Sequence, residues 1–109
     1  MTGKEQTVFR AIADPTRRAI LAHLAGEDLT IAQLVGRFDV TRGAIKKHLV
    51  ILEEGGVISV HPRGRERVNR LEAAALKEVA DWVDGFSRFW DERLMKLKAA
   101  VEAEEKEHG

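Results

Sequence analysis

The run Thr41-Arg-Gly-Ala-Ile-Lys-Lys-His48 gathers a hydroxyl, three cations and an imidazole within eight residues. Ile45, Leu49 and Leu52 follow at steps of four and three, the spacing of one buried helix face. The outward positions near the start of that helix are then Arg42, Gly43, Lys46 and Lys47. An arginine fork can bond guanine O6 and N7, a lysine can serve base or phosphate, and Gly43 lets another backbone come close. Thr41 is placed to cap the helix. His48 precedes Leu49 and either braces the helix or reaches a phosphate. A second cationic group, Arg63, Arg65 and Arg67, alternates along a segment rich in Pro and Gly. A core gains nothing from arginines there, whereas a narrow minor groove or flanking phosphates would bind them. A charged strand edge that deters aggregation is the alternative use. Asn69 and Arg70 lie nearer the base of this segment and are not counted among the DNA contacts.

Other chemistries find few residues. The chain has no cysteine, which removes disulfides, thiolate catalysis and thiolate metal sites together. No two of His23, His48, His61 and His108 have metal-site spacing. His23 is expected to be partly exposed, His61 falls in the Pro/Gly-rich segment, and His108 lies in a tail of Glu and Lys. Ser59 and Ser87 have no evident His or Asp partner, and no phosphate-binding loop is present, so neither catalytic residues nor a cofactor are expected. The net charge is zero but unevenly spread. From Arg10 to Arg70 there are 11 basic and 7 acidic residues, and from Leu71 to Gly109 there are 6 and 10. The positive part is suited to a phosphate surface. With no apolar span and no apolar N-terminal core, the expected setting is the cytoplasm, with no membrane partner.

The elements that must hold these side chains follow from caps and periodicity. Over 109 residues one domain is expected. A first short helix, with Val8 and Ile12, ends before Asp14. Asp14-Pro15 starts a second, with Ile20, Leu21 and Leu24 inward and Gly26 as its stop. Thr30 caps a third, running from Ile31 to about Phe38 and buried through Ile31, Leu34 and Phe38. The fourth starts after Thr41 and ends at Gly55-Gly56, with a glycine in the left-handed conformation. Residues 30–55 thus read as a helix-turn-helix. At 57–71 the period becomes two, with Val57, Ile58 and Val60 before a turn at 62–65 and a second strand after it: a β-hairpin, or wing. From about 72 to 105 one long helix is expected. Val79, Val83, Phe86, Trp90, Leu94, Leu97 and Val101 form its main stripe, with Ala75, Trp82 and Phe89 beside it. That surface is too wide for a solvated helix and predicts packing partly on its own domain and partly on another chain. Gly85 in its middle serves either close helix approach or a local kink.

Two segments carry a family resemblance. Phe9-Arg-Ala-Ile-Ala-Asp-Pro-Thr-Arg-Arg-Ala-Ile-Leu-Ala-His-Leu24 and Thr41-Arg-Gly-Ala-Ile-Lys-Lys-His-Leu-Val-Ile-Leu-Glu-Glu-Gly-Gly-Val-Ile58 resemble the opening and recognition helices of ArsR-type repressors. The resemblance implies a mainly α fold with a small β-hairpin, a winged helix-turn-helix with a long C-terminal dimerisation helix. It implies a homodimer that represses transcription by occupying an inverted-repeat operator in double-stranded DNA. It also implies that the first and last helices form the dimer interface, assigning Val8, Ile12, Trp82, Val83, Phe86, Phe89, Trp90, Leu94 and Leu97 to it. Metal-sensing members carry a Cys-x-Cys pair where this chain reads Ile31-Ala-Gln-Leu-Val-Gly-Arg-Phe38. Others use Asp, His and Glu on the last helices, where this chain offers Asp81, Asp84 and Asp91 without a neighbouring histidine. No metal is therefore expected. The run Trp82 to Leu94 is similar to metal-free members linked to START-like small-molecule proteins. The alternatives are a winged-helix protein–protein module without DNA binding, and a metal sensor with non-thiolate ligands. Arg42, Lys46 and Lys47 argue against the module, which has no need of cations there.

Overall fold

The computed structural model describes residues 3–108, with side-chain environments for residues 7–106. Four helices come first: α1 (Gly3–Ile12), α2 (Pro15–Leu24), α3 (Ile31–Val35) and α4 (Arg42–Glu54). The last three each follow an extended residue whose side chain accepts a first-turn backbone N–H. Asp14 accepts from Arg17, Thr30 from Gln33 and Thr41 from Ala44. These bonds satisfy donors that a helix start leaves without a carbonyl. At Thr30 the exchange is mutual, since Gln33 Oε1 accepts the Thr30 N–H at 2.8 Å. Helix α3 stops at Val35 rather than near Phe38, because the Arg37 N–H turns back to the Leu34 carbonyl at 2.9 Å. Of its expected core residues only Leu34 is fully buried; Ile31 and Phe38 are half-buried.

The core is assembled from Val8 and Ala11 of α1, Ile20, Leu21 and Leu24 of α2, Leu34 of α3, and Ile45, Leu49 and Leu52 of α4. Leu29, Val57, Ile58 and Val68 complete it. Helix α1 crosses the end of α4 so closely that a Cβ at Gly55 would sit 2.8 Å from the Thr7 carbonyl oxygen and 2.9 Å from Ala11 Cβ. Gly55 therefore permits an approach, and Gly56, at φ 72°, supplies the left-handed turn that ends the helix.

The wing consists of β1 (Ile58–Arg63) and β2 (Glu66–Leu71), antiparallel, with Ile58 opposite Leu71 and Arg63 opposite Glu66. Its turn is only Gly64-Arg65, with Gly64 at φ 65°. Pro62, expected in the turn, lies in β1 opposite Arg67, a position a two-stranded ribbon tolerates. A further bridge joins the wing to the segment before α3. Leu29 and Asn69 exchange backbone hydrogen bonds at 2.7 and 3.1 Å, and the Asn69 carboxamide donates to the Leu29 carbonyl at 3.1 Å. The wing base is thus fastened to the cap of the helix-turn-helix.

The chain divides into two compact units, a winged one, Met1–Glu78, and a C-terminal one, Val79–Gly109. After a 3-10 turn (Ala73–Leu76) come α5 (Lys77–Asp84) and α6 (Ser87–His108). The long C-terminal helix is present as α6, but the expected continuous helix over 72–105 is interrupted. The Gly85 N–H is shared between the Asp81 and Trp82 carbonyls, and the Phe86 N–H bonds Val83 at 2.9 Å. That is a locally tightened turn where glycine weakens helix propagation. Among the described residues no helix is long and apolar enough to cross a membrane.

Candidate nucleic-acid interface

With Ile45, Leu49 and Leu52 turned into the core, α4 leaves Arg42, Gly43, Lys46 and Lys47 exposed at and near its start. Thr41 Oγ1 accepts the Ala44 N–H at 3.1 Å and keeps its own proton to donate. A Cβ on Gly43 would meet nothing nearer than Thr41 Oγ1 at 3.9 Å, so this chain's own packing does not demand the glycine. Some of the basic residues are occupied within the chain: Arg17 and Arg18 donate to backbone carbonyls. Arg37 pairs with Glu27 at 3.4 Å and Arg70 with Asp28 at 3.0 Å. Among the described residues, Arg42, Lys46, Lys47, Arg63, Arg65 and Arg67 form no ion pair, and all six are exposed. Their charge is left for something outside the chain.

The three wing arginines do not act as one row. Arg65 is in the turn, Arg63 shares a ribbon face with Glu66, and Arg67 shares the other face with Pro62. Arg67 and Val60 line a groove together with Lys46 and Val50 of α4, which brings one wing cation beside the recognition helix. Asn69 is buried and Arg70 paired, so both serve the wing base.

His48 is turned toward α2. Its Nδ1 lies 3.3 Å from Arg17 Nη1 and 3.9 Å from Asp14 Oδ2. Arg17 in turn donates from Nε to the Ala11 carbonyl at 2.8 Å and from Nη2 to the Arg10 carbonyl at 3.0 Å. The Arg17 N–H bonded to Asp14 holds that carboxyl below its ordinary value, with the His48 imidazole, whenever it carries a proton on both nitrogens, and the Arg17 charge adding to the effect. Asp14 and Arg17 escaped the sequence reading as functional candidates, since their spacing spoke only of a helix start. His23 is exposed, 3.3 Å from Arg37 and edge-on to the Phe38 ring. The side chain of His108 lies outside the described residues.

The residues assigned to dimerisation separate by burial. Val8, at 4% exposure, is consumed by its own core and has nothing to offer a partner, a correction to its assignment. Ile12 is half-buried. Trp82, Val83, Phe86, Phe89, Trp90, Leu94 and Leu97 are all exposed, as are Met95 and Val101. The Trp82 and Phe86 rings meet edge-on at 5.2 Å, and Arg93 lies over the Phe89 ring at 5.1 Å.

Residues 12–61 match the helix-turn-helix domain family. The transcriptional repressor SdpR of Bacillus subtilis (strain 168) is 37% identical over 87 residues, covering 80% of this chain and 97% of that protein. An ArsR-like transcriptional regulator from Rhodococcus sp. RHA1 superposes with a TM-score of 0.69 at 35% identity, covering 87% of this chain and 90% of that one. The chain belongs to the ArsR family. The homodimeric winged helix-turn-helix DNA-binding domain of Mb0332 from Mycobacterium bovis shares the fold at 22% identity, with a TM-score of 0.61 over 84% of this chain and 82% of that one.

Two details of this ArsR-family chain concern chemistry other than DNA binding. Among the described residues no three His, Asp or Glu side chains converge as a metal site would require. Ser59, for which no partner was evident, does have partners: it donates to Glu72 Oε2 and lies 2.7 Å from His61 Nε2. With the serine proton given to Glu72, His61 Nε2 is the donor to Oγ. The serine therefore sits between acid and imidazole, whereas a nucleophilic triad needs the imidazole in the middle, free to take the serine proton. This cluster joins β1 to the residue after β2.

Proposed function

We propose that this ArsR-family chain is a homodimer that binds double-stranded DNA sequence-specifically in the cytoplasm and represses transcription by occluding a promoter. The observation that carries this reading is the set of six exposed cations without ion-pair partners gathered at the start of α4 and on the wing, while Arg37 and Arg70 nearby are paired with carboxylates. In a helix-turn-helix the second helix enters the major groove with its N-terminal residues at the base edges. Arg42, Lys46 and Lys47 are the candidates for bases or phosphates, Gly43 for close approach, Thr41 and His48 for phosphate, and Arg63, Arg65 and Arg67 for the flanking groove and backbone. The α6 stripe Trp90, Leu94, Leu97 and Val101 supports a second copy as partner, joined by Trp82, Val83, Phe86, Phe89 and Ile12. Mb0332, with the same fold, is a homodimer. Two-fold symmetry then calls for an inverted repeat whose half-sites lie about 10–10.5 bp apart or a multiple of that.

Selection of bound fragments from random DNA at a stated salt concentration tests this reading. Recovery of an inverted repeat is the expected result; recovery of no enriched sequence overturns it. On the selected site, Lys46→Ala and Lys47→Ala should each weaken binding and lower the salt slope by about one unit if the residue neutralises a phosphate.

A further inference from the structure

We propose that Arg17 fixes the proton of His48 on Nε2, making His48 an oriented, uncharged hydrogen-bond donor to a DNA phosphate, with Arg17 as its positioning residue. The proposal rests on the reading that α4 enters DNA and assigns a role within it. The two possibilities open for His48, bracing or phosphate contact, become one arrangement. One ring nitrogen braces and the other donates.

The argument begins with what a guanidinium can do. It carries N–H donors and no acceptor, so the 3.3 Å contact between Arg17 Nη1 and His48 Nδ1 is a hydrogen bond only when Nδ1 is unprotonated. In a neutral imidazole the proton then resides on Nε2, since the partner of one ring nitrogen decides the state of the other. Asp14 does not compete for a proton on Nδ1. Its Oδ2 is 3.9 Å away, beyond hydrogen-bond reach, and already accepts the Arg17 N–H at 3.0 Å. Arg17 itself has little freedom, because Nε and Nη2 are bonded to the last carbonyls of α1, those of Ala11 and Arg10. The imidazole is therefore held on α4 by an arginine of α2 that is anchored on α1.

Nε2 of His48 has no hydrogen-bond partner among the described residues, and since no buried side-chain nitrogen or oxygen among them lacks one, this nitrogen is not sealed in the core. It belongs to the helix that displays Arg42, Lys46 and Lys47. A neutral donor there positions the protein on the duplex without reading sequence. It also differs from its lysine neighbours in one measurable respect: an uncharged donor displaces no counterion, so its loss lowers affinity without changing the salt slope.

The test joins spectroscopy to a salt series. Two-bond nitrogen–proton correlation spectra of the full chain at about pH 8, above the ordinary imidazole range, should show His48 with the proton on Nε2. In Arg17→Gln that preference should be lost. Against the selected operator, His48→Leu should bind about tenfold more weakly with an unchanged salt slope. His48→Gln, which keeps an acceptor for Arg17 and a donor beyond it, should recover most of the loss. Arg17→Gln should weaken binding as His48→Leu does, and the double variant should lose no more than either. His48→Leu leaves Arg17 and its α1 contacts in place, so the affinity test survives even where Arg17→Gln fails to fold. A proton on Nδ1, unchanged affinity in His48→Leu, or a slope lowered by one unit in that variant would each overturn the inference. Lys46→Ala separates the two levels. Weakened binding there beside an unaffected His48→Leu sinks only this inference, whereas no operator binding by the unaltered chain sinks the DNA reading beneath it.

Discussion

In α4 the apolar residues Ile45, Leu49 and Leu52 follow at steps of four and three; in α6 Trp90, Leu94, Leu97 and Val101 follow at four, three and four. The rhythm is the same and the outcome opposite. The α4 stripe is 0–8% exposed, whereas the α6 stripe is 47–62% exposed. The other faces differ as well: α4 begins with cations that have no ion-pair partner among the described residues, while α6 mixes signs and pairs Arg88 with Glu92 at 3.5 Å. Periodicity states that a helix face will be covered, and the surrounding chain decides by what. Around α4 the cover is supplied by α1, α2, α3 and the wing, so the helix becomes a rigid platform for its outer face. The exposed stripe of α6 calls for a second surface, and this is the physical basis for expecting a dimer.

The strongest way to break this comparison is to damage both stripes in parallel. Leu52→Ala empties a fully buried position and should cost about 2–5 kcal/mol, read from denaturant unfolding. Because the loss is within one chain, it should be the same at every protein concentration. Trp90→Asp should instead yield monomers by sedimentation and remove any dependence of the melting temperature on concentration. A Trp90→Asp chain that remains dimeric would show that the α6 stripe has another purpose.

The next contrast concerns glycines at the two ends of α4. Gly55→Ala drives a Cβ against the Thr7 carbonyl and Ala11, both on α1, and should cost about 1–3 kcal/mol because neither can move aside cheaply. At Gly43 the sign reverses. A Cβ there touches only Thr41 Oγ1 at 3.9 Å, so Gly43→Ala should stabilise the helix by up to about 1 kcal/mol. The same variant should bind operator DNA more weakly if a backbone approaches at that point. Greater stability together with undiminished affinity would show that no groove surface comes near Gly43.

What could be read from residues alone was whatever local chemistry dictates. Asp14, Thr30 and Thr41 announced three helix starts, and Gly56 a helix end, because caps and left-handed turns depend on a few adjacent residues. The outward placement of Arg42, Lys46 and Lys47 followed from the inward placement of Ile45 and Leu49. The unread parts depend on contacts between distant segments. Nothing near Leu29 signals that Asn69 will bond to it, and nothing near Arg17 signals that its guanidinium will join α1 to His48. Val8 was given to a partner because the periodicity of a short helix does not tell which of two neighbours will cover it. The wing arginines read as a row because alternation was counted along the chain, whereas the turn between strands put Arg63 and Arg67 on opposite faces.

The smallest effect is expected at Gly85, where the helix anticipated from the sequence divides into α5 and α6. Alanine favours the helical state over glycine by about 1 kcal/mol, which would promote a continuous helix. Against this, a Cβ at Gly85 lies 3.2 Å from the Trp82 carbonyl oxygen, a tight contact within the turn where the Gly85 N–H is shared between Asp81 and Trp82. The two contributions oppose, so Gly85→Ala should change unfolding free energy by less than about 1 kcal/mol. If the interruption comes only from glycine's weak propensity, helicity by circular dichroism should rise as the two helices fuse. If the Val83 to Phe86 turn is held by the packing of its neighbours, helicity will stay constant and the strain will appear as a lower melting temperature. The first outcome would make α5 and α6 a single amphipathic surface interrupted by one residue; the second would make the break a fixed corner that presents Trp82 and Trp90 separately.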